Sequence, residues 1–254
     1  MKKPLLAFAC FTLLAGAAPA VQADQVETER ITRTVDIDRG GTLRVNSFSG
    51  RVDIAVHDGH TVVVEAVRRG TRARLDRVKL DVHTSGSTVY VEANRRDANS
   101  WWWWGGNNVV ETDLTIKVPR QIDLRINVFS AAVNVAGVDG THNVSGFSSR
   151  LRFEDVNGSI KAHTFSGPVD IRMRNWADGR SVDVDTFSGS ISLRVPESAR
   201  GAVSFNSFSG RLNSDLPLTL HTGNRRNLKA DLGGSPDGGR LRFKTFSGDV
   251  RIER

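Results

Sequence analysis

The chain has 254 residues, with 35 Lys and Arg against 28 Asp and Glu, a net charge of +7 and 39% hydrophobic residues. This length suits one large or two small domains, and the composition excludes a disordered chain. Cys10 is the only cysteine. A disulfide-rich scaffold, a thiolate nucleophile beyond this position and a cysteine metal site are therefore excluded.

Residues 1–23 have the pattern of a secretory signal peptide. Two lysines begin the segment, the apolar run Leu5–Ala18 follows, and small residues precede the expected cleavage site after Ala23. The apolar run is too short to span a bilayer. We therefore expect residues 24–254 to be exported with a net charge of +5. The periplasm is the default location, with the cell surface or secretion as alternatives.

A short motif with the consensus Ser/Thr-Phe-Ser-Gly recurs seven times after this segment. Its aromatic residues are Phe48, Phe129, Phe147, Phe165, Phe187, Phe208 and Phe246. From the second copy onward the intervals are 18, 18, 22, 21 and 38 residues, the last being close to two periods. The first interval, 81 residues, holds either degenerate copies or a different structure. This spacing indicates a structural repeat.

Apolar residues alternate with polar ones on both sides of each motif. Val169 and Ile171 follow Phe165 by four and six places, and Ile160 and Ala162 precede it by five and three. This period of two predicts two strands with one buried face each, joined at a Ser-Gly corner. Turn dipeptides close four of the units: Asp58-Gly59, Asp139-Gly140, Asn157-Gly158 and Asp178-Gly179.

These units predict an all-β, single-stranded β-solenoid (β-helix-like) of stacked 18–22-residue repeats. Stacking explains why the same Phe recurs, and we expect the rings to form an internal ladder. A β-sandwich of hairpins is the alternative. We expect residues 24–254 to form one domain, with loop excursions near 94–108 and 211–240. The strand that ends near Arg254 is expected to lie at an open end of the stack.

Repeated Ser-Phe-Ser-Gly-x-Val-x-Ile units behind a signal peptide resemble the bacterial putative-adhesin family, domain of unknown function 4097. The resemblance covers about residues 30–254, including the Gly-rich segment 233–239. Family members commonly have plain Ser-Gly-Asp or Ser-Gly-Ser turns, whereas this chain inserts Phe in nearly every copy. The resemblance implies an exported, β-solenoid-like domain and supplies no catalytic residues.

The most unusual local feature is a run of four tryptophans within the first excursion: Trp101, Trp102, Trp103 and Trp104. Successive side chains of an extended segment point to opposite faces, so the four rings cannot all enter one core. They form either an exposed binding surface, aided by Arg95 and Arg96, or a cap over the solenoid.

A basic segment spans residues 68–79, where Arg72 and Arg74 share one face if the chain is extended. This segment is either a contact for anionic lipid or polysaccharide, or a solvated strand edge that resists aggregation. We expect no nucleic acid partner, because the chain is exported and shows no recognition motif.

A weak candidate metal site lies at the turn His57-Asp58-Gly59-His60. If Asp58-Gly59 closes a two-residue hairpin, the imidazoles of His57 and His60 face each other. Two histidines are too few for a firm site, so we expect no metal and no cofactor.

The sequence predicts a non-catalytic binding or structural module of the cell envelope, with a glycan, an anionic lipid or an envelope protein as its partner. One alternative is an envelope assembly or stress-related protein that docks through the solenoid ends. The second is a carbohydrate-active enzyme, for which Asp183 and Asp185 are a weak carboxylate pair on one outward face. No Gly-x-Ser-x-Gly nucleophile motif is present.

Overall fold

The computed structural model describes residues 25–96, 109–224 and 226–254. The predicted signal peptide lies outside these ranges and stays a prediction. Within them, 19 strands form one continuous sheet, accompanied by the short helix α1 (Arg72–Arg77). In chain order the strands are β1 (Val26–Asp36), β2 (Thr42–Val56), β3 (Thr61–Thr71), β4 (Val78–Ser85), β5 (Thr88–Arg96), β6 (Glu111–Val118), β7 (Asp123–Ala136), β8 (His142–Ser148), β9 (Leu151–Val156), β10 (Ile160–Ser166), β11 (Val169–Met173), β12 (Ser181–Ser188), β13 (Ile191–Arg194), β14 (Gly201–Ser207), β15 (Leu212–Ser214), β16 (Leu218–Gly223), β17 (Asn227–Leu232), β18 (Gly239–Ser247) and β19 (Val250–Glu253).

The repeat units stack as coils with parallel strands. In one unit, β8 precedes the Phe147 corner and β9 follows it. Strand β8 pairs in parallel with β7 and β10, and β9 pairs in parallel with β7 and β11. A sandwich of hairpins would instead pair the two strands of one unit with each other, antiparallel. The pairing confirms the predicted β-solenoid.

The order of coils in the stack differs from their order in the chain. The last unit, β18–β19, lies between β12–β13 on one side and β14–β15 on the other. The chain therefore leaves one position in the stack empty after β12–β13, forms β14–β15 beyond it, and returns to fill it with β18–β19. This return accounts for the interval of 38 residues. The expectation that the final strand lies at an open end is wrong, because β19 has parallel partners on both sides. Trp176 packs over this crossing, where its indole N–H donates to the Arg200 carbonyl at 2.7 Å.

The interval of 81 residues is an insertion at the other end of the stack. Strand β2 pairs directly with β7, so the first and second Phe corners are neighbours in space. On the far side of β2, strands β5 and β6 pair with its two halves as a further coil without a Phe. Antiparallel strands cover this coil: β4 on β5, β3 on β6, and β1 on β3.

Two segments are more ordered than the sequence suggests. The expected excursion at 211–240 contains β15, β16 and β17, and β17 covers the edge of β14 as an antiparallel strand. The basic segment 68–79 is not one extended strand, because residues 72–77 form α1. This helix buries Leu75 against Val78 and Val110 in a small core of its own.

The main core lies inside the coils and is formed by the inward residues of both strands in each unit. These residues are mostly Val, Ile and Leu at zero or near-zero exposure. His142 is an exception, because it takes the inward place that Leu124 and Ile160 occupy in the neighbouring coils. Burial lowers the pKa of His142 to about 4, against the opposing effects of the Asn157 backbone and the Asp123 and Asp139 carboxylates.

We expect this imidazole to make the fold sensitive to acid. The unfolded chain takes up a proton at His142 near pH 6.5, whereas the folded chain resists it down to about pH 4. Stability is therefore lost as the pH falls through this window. Between about pH 8 and about pH 5, the free energy of unfolding should fall by about 2 kcal/mol more in the wild type than in His142→Leu. Urea titrations at both pH values measure this difference, and identical pH dependence in the two proteins would contradict it.

Candidate binding surface

Seven phenylalanine rings form a continuous stack along the outside of the solenoid, which we call the Phe ladder. From one end to the other, its members are Phe48, Phe129, Phe147, Phe165, Phe187, Phe246 and Phe208. Neighbouring ring centroids are 4.7–5.0 Å apart, and the ring planes differ by 2–13°. Measured from centroid to centroid along the stack, the ladder is about 29 Å long, and its spacing follows that of the strands.

The ladder is external, so the expectation of an internal Phe ladder is wrong. Each ring is 40–57% exposed. The reason is the strand alternation: inward residues precede each Phe by five, three and one places, so the Phe itself faces outward. At Phe165 these inward residues are Ile160, Ala162 and Thr164, all buried. The same parity was available in the sequence and indicated an outward ring.

Tight corners hold the rings in register. The residue directly before each Phe is buried in all seven units. At Thr164, the hydroxyl donates to the Ser166 carbonyl at 3.2 Å across the corner. Gly167 follows with a φ of 128°, and a Cβ there would collide with the Ser149 carbonyl oxygen of the adjacent coil. A small residue therefore lets neighbouring corners approach closely enough for the rings to stack.

The ladder exposes ring edges rather than ring faces, because each inner ring is covered by a neighbour on both sides. Shallow grooves run beside it. One of about 530 Å³ lies along the four rings from Phe165 to Phe208, and one of about 380 Å³ lies beside Phe48 and Phe129. At one end the Arg226 guanidinium lies 5.4 Å from the Phe208 ring centroid. The surface therefore suits apolar contact along a line, with polar contact beside it.

Charged side chains flank the ladder in three outward rows, at positions four and two before each Phe and three after it. The basic members are Arg44, Arg51, Arg125, Arg150, Lys161, Arg211, Arg242 and Lys244. The acidic members are Asp183, Asp185 and Asp249. Ion pairs join Asp183 to Arg242 at 3.4 Å and Asp185 to Lys244 at 3.7 Å. The carboxylates that the sequence offered as a weak catalytic pair are thus each partnered by a cation.

The tryptophan run, Trp101 to Trp104, lies outside the described residues, so its role stays a prediction. The residues that lead to it are described. Strand β5 places Glu92 opposite Asn46, and both line the groove beside Phe48 together with Asn94. Residues 94–96 of the excursion predicted near 94–108 thus belong to β5, which passes one end of the Phe ladder, and residues 97–108 lie outside the described residues.

The predicted basic residues lie near one another, and Arg95 and Arg96 directly follow Asn94, which lines the groove beside Phe48. Arg72 and Arg74 are on α1, where Arg72 pairs with Asp76 at 3.1 Å and with Glu27 at 3.8 Å. The backbones of Arg95 and Arg96 pair with Lys79 and Val78, which follow this helix directly. The side chains of Arg95 and Arg96 are not among those described, so their part in binding stays a prediction.

Arg68 has a structural role that the sequence did not reveal. Its guanidinium is 2% exposed and donates to the Glu29 carboxylate on β1 and to the Val78 carbonyl at the start of β4. These contacts join two strands that do not pair with each other. A buried, partnered arginine in a basic segment looks like any surface arginine in sequence, since the pattern does not show its partners.

The candidate hairpin at His57 and His60 does not form. Strand β2 pairs with β5, β6 and β7, and β3 pairs with β1 and β6, so the turn connects strands that are not neighbours. The His57 Nε2–H donates to the Thr61 carbonyl at 2.7 Å. Within the described part of the chain, no three His, Cys, Asp or Glu residues are placed to share a metal ion. In the same residues, no helix has the length and apolar composition needed to cross a membrane.

Comparisons with known proteins found one family model and several solved structures that resemble this chain. A family model described as Toastrack DUF4097 matches residues 123–253. A solved structure described as a putative cell adhesion protein from Clostridium sporogenes is 11% identical, with a TM-score of 0.54 over 89% of this chain and 99% of its own. A putative adhesin from Bacteroides fragilis is 10% identical, with a TM-score of 0.39 over 88% and 97% of the two chains. No curated protein matches the sequence.

The position of a ring in the ladder should set its contribution to stability. Phe165 stacks on rings at 4.9 Å and 4.8 Å, whereas Phe48, at one end, stacks on Phe129 at 4.7 Å. We expect Phe165→Ala to lower the free energy of unfolding by about 2 kcal/mol and Phe48→Ala to lower it by about 1 kcal/mol. The inner substitution removes contacts with two stacked rings, whereas the end substitution removes contacts with one. Urea unfolding of the two variants measures this, and equal costs would show that stacking contributes nothing beyond burial.

Proposed function

This chain belongs to the Toastrack family, DUF4097, and we propose that it is a non-catalytic binding module of the bacterial cell envelope whose adhesive surface is the Phe ladder. The single observation that carries the proposal is the row of seven half-exposed rings. In every coil that carries the motif, the phenylalanine side chain lies on the outside, in register with those of the neighbouring coils.

The size of the apolar strip supports a binding role. With close to half of each ring exposed, the seven rings present roughly 600 Å² of apolar surface. Patches of this size are at the upper end of what monomeric soluble proteins expose, and they are often functional. Burying the strip on a partner would cover about as much surface as one side of a standard protein interface does.

The location forms part of the same proposal. The pattern of residues 1–23 predicts export, and the compared structure from Clostridium sporogenes is described as a putative cell adhesion protein. We place the protein in the periplasm first, with the cell surface or the medium as the other locations. In each of these the ladder faces envelope components, namely lipids, glycans and envelope proteins.

Docking through the solenoid ends receives less support from the geometry. At one end, β17 pairs with β14 and β16 pairs with β17, so antiparallel strands cover the last long parallel strand. At the other end, β4 and β3 cover β5 and β6. The outer strands β16 and β4 each pair with an irregular register, and such bulges discourage edge-to-edge association. The ladder, by contrast, has no covering element among the described residues.

Replacing three phenylalanines of the ladder by serine tests the proposal. The triple variant Phe129→Ser, Phe147→Ser and Phe165→Ser should lose at least about tenfold in its retention on purified bacterial envelope fragments, because roughly half of the apolar strip is gone. Sedimentation of the mature protein with the fragments measures retention.

A matched control removes apolar side chains elsewhere on the surface. Val26 is 71% exposed and Leu220 is 64% exposed, and neither belongs to the ladder. The variant Val26→Ser, Leu220→Ser should be retained like the wild type. Circular dichroism and thermal melting confirm that both variants are folded at the assay temperature. A folded ladder variant that is retained as well as the wild type would overturn the proposal.

A further inference from the structure

Charge is distributed unevenly along the Phe ladder. In the three outward rows that flank it, the four coils from Phe48 to Phe165 carry five basic residues and no acidic one. These residues, which we call the basic half, are Arg44, Arg51, Arg125, Arg150 and Lys161. All but Arg44 are exposed, and Arg44 lies over the Tyr90 ring at 5.6 Å.

The remaining coils have a different balance. From Phe187 to Phe208, the same rows contain Asp183, Asp185 and Asp249 beside three basic residues. Two of these carboxylates form ion pairs, and the third accepts from the Arg211 backbone N–H at 2.9 Å. Acidic side chains near the basic half return in the next rows outward, at Asp53, Asp123 and Asp170, and on the next strand at Glu92. Positive charge is thus concentrated beside the rings of one half.

The exposed part of each ring limits what can bind. Sugar rings bind aromatic residues through the ring face, and the inner faces of this ladder are covered at 4.7–5.0 Å by neighbouring rings. Ring edges aligned along a line, with cations beside them, instead suit a boundary where an apolar layer meets anionic groups. Aromatic side chains favour such boundaries in membranes, and basic side chains near them are attracted by anionic headgroups.

We propose that the half of the Phe ladder from Phe48 to Phe165 docks on an anionic lipid surface. The ring edges enter the headgroup layer, and the basic half contacts lipid phosphates. This inference rests on the proposed function, since it names the partner of the same surface. It adds an orientation for the protein on the membrane. The corner that carries the Phe ladder faces the lipid, and the end of the ladder next to β5 makes closer contact than the end next to β17.

A second copy of this chain fits the surface less well. Pairing two ladders side by side in the same direction would place two basic halves against each other. With one copy reversed, the basic half of each copy would face the other half of its partner, which removes most of that repulsion. Phe165 is the middle ring of seven, however, so Lys161 would still lie close to Lys161 of the second copy. Like charges placed opposite each other disfavour association.

Vesicle binding tests the proposal. The mature protein should cosediment with vesicles of equal parts phosphatidylglycerol and phosphatidylcholine at least about tenfold more tightly than with phosphatidylcholine alone. The variant Arg125→Gln, Arg150→Gln, Lys161→Gln should lose at least about tenfold on the anionic vesicles. The control Arg30→Gln, Arg33→Gln, Arg172→Gln removes the same charge at exposed positions outside the three rows and should lose less than about threefold.

Two variants of the rings separate insertion into lipid from recognition of aromatic faces. Changing Phe129, Phe147 and Phe165 to Leu keeps apolar volume and should retain vesicle binding within about threefold, whereas changing them to Ser should lose at least about tenfold. The Leu variant also guards against misfolding as an explanation, because it fills much of the same space.

The outcomes distinguish the two proposals. If the wild type fails to bind anionic vesicles but the Phe ladder is still needed for retention on envelope fragments, the lipid-docking proposal is overturned and the proposed binding function stands. If sedimentation velocity shows a dimer that depends on the ladder, and vesicle binding is absent, a second copy is the partner and the lipid-docking proposal is overturned. Equal losses in the basic-half variant and its charge control also overturn it. If the ladder is dispensable in both assays, both proposals fall.

Discussion

The spacing of parallel strands governs the rest of this structure. Strands in register place equivalent residues about 4.8 Å apart, which is close to the stacking distance of aromatic rings. A Phe at one position of each unit therefore forms a continuous ladder, with centroids 4.7–5.0 Å apart. The same spacing places small residues at successive corners, rows of charge beside the rings and aliphatic side chains in the core.

Much of the coil could be predicted from alternation alone. The inward positions on both sides of each corner, such as Ile160 and Val169, were correctly indicated by the period of two. The outward position of the Phe follows from the same parity, but hydrophobicity argues for burial and leads to the wrong face. Parity is the better guide here, because a strand fixes the direction of every side chain once one of them is known.

Other features depend on contacts that a single sequence does not show. The placement of β18–β19 between earlier coils requires knowledge of which units are neighbours, and all units have nearly the same apolar pattern. Arg68 is buried where the Glu29 carboxylate, 39 residues away in sequence, and the Val78 carbonyl, 10 residues away, both accept from its guanidinium. The helix at 72–77 is too short to show helical periodicity. The tryptophan run lies outside the described residues, so its predicted binding role stays a prediction beside the role proposed for the Phe ladder.

An exposed ladder combines two roles that normally conflict. Stacked rings stabilise neighbouring coils, yet their edges remain available, so binding requires no rearrangement of the fold. In the proposed function, the flanking charges keep the strip hydrated and also select the partner that it binds. Among the described residues no element covers the seven rings, and the strip is narrow and bordered by polar residues such as Asn127, Ser148 and Arg150.

The central claim is that the Phe ladder is the surface that meets the envelope. Residues 24–254 contain no cysteine, so in a protein made of these residues one cysteine with an environment-sensitive fluorophore can be placed at Ser148, which is exposed directly after Phe147. A second labelled protein carries it at Thr141, which is exposed on the opposite, Asx-Gly edge of the coils. On addition of envelope fragments, we predict a blue shift of emission at Ser148→Cys and none at Thr141→Cys. A shift at Thr141→Cys with none at Ser148→Cys would contradict the account.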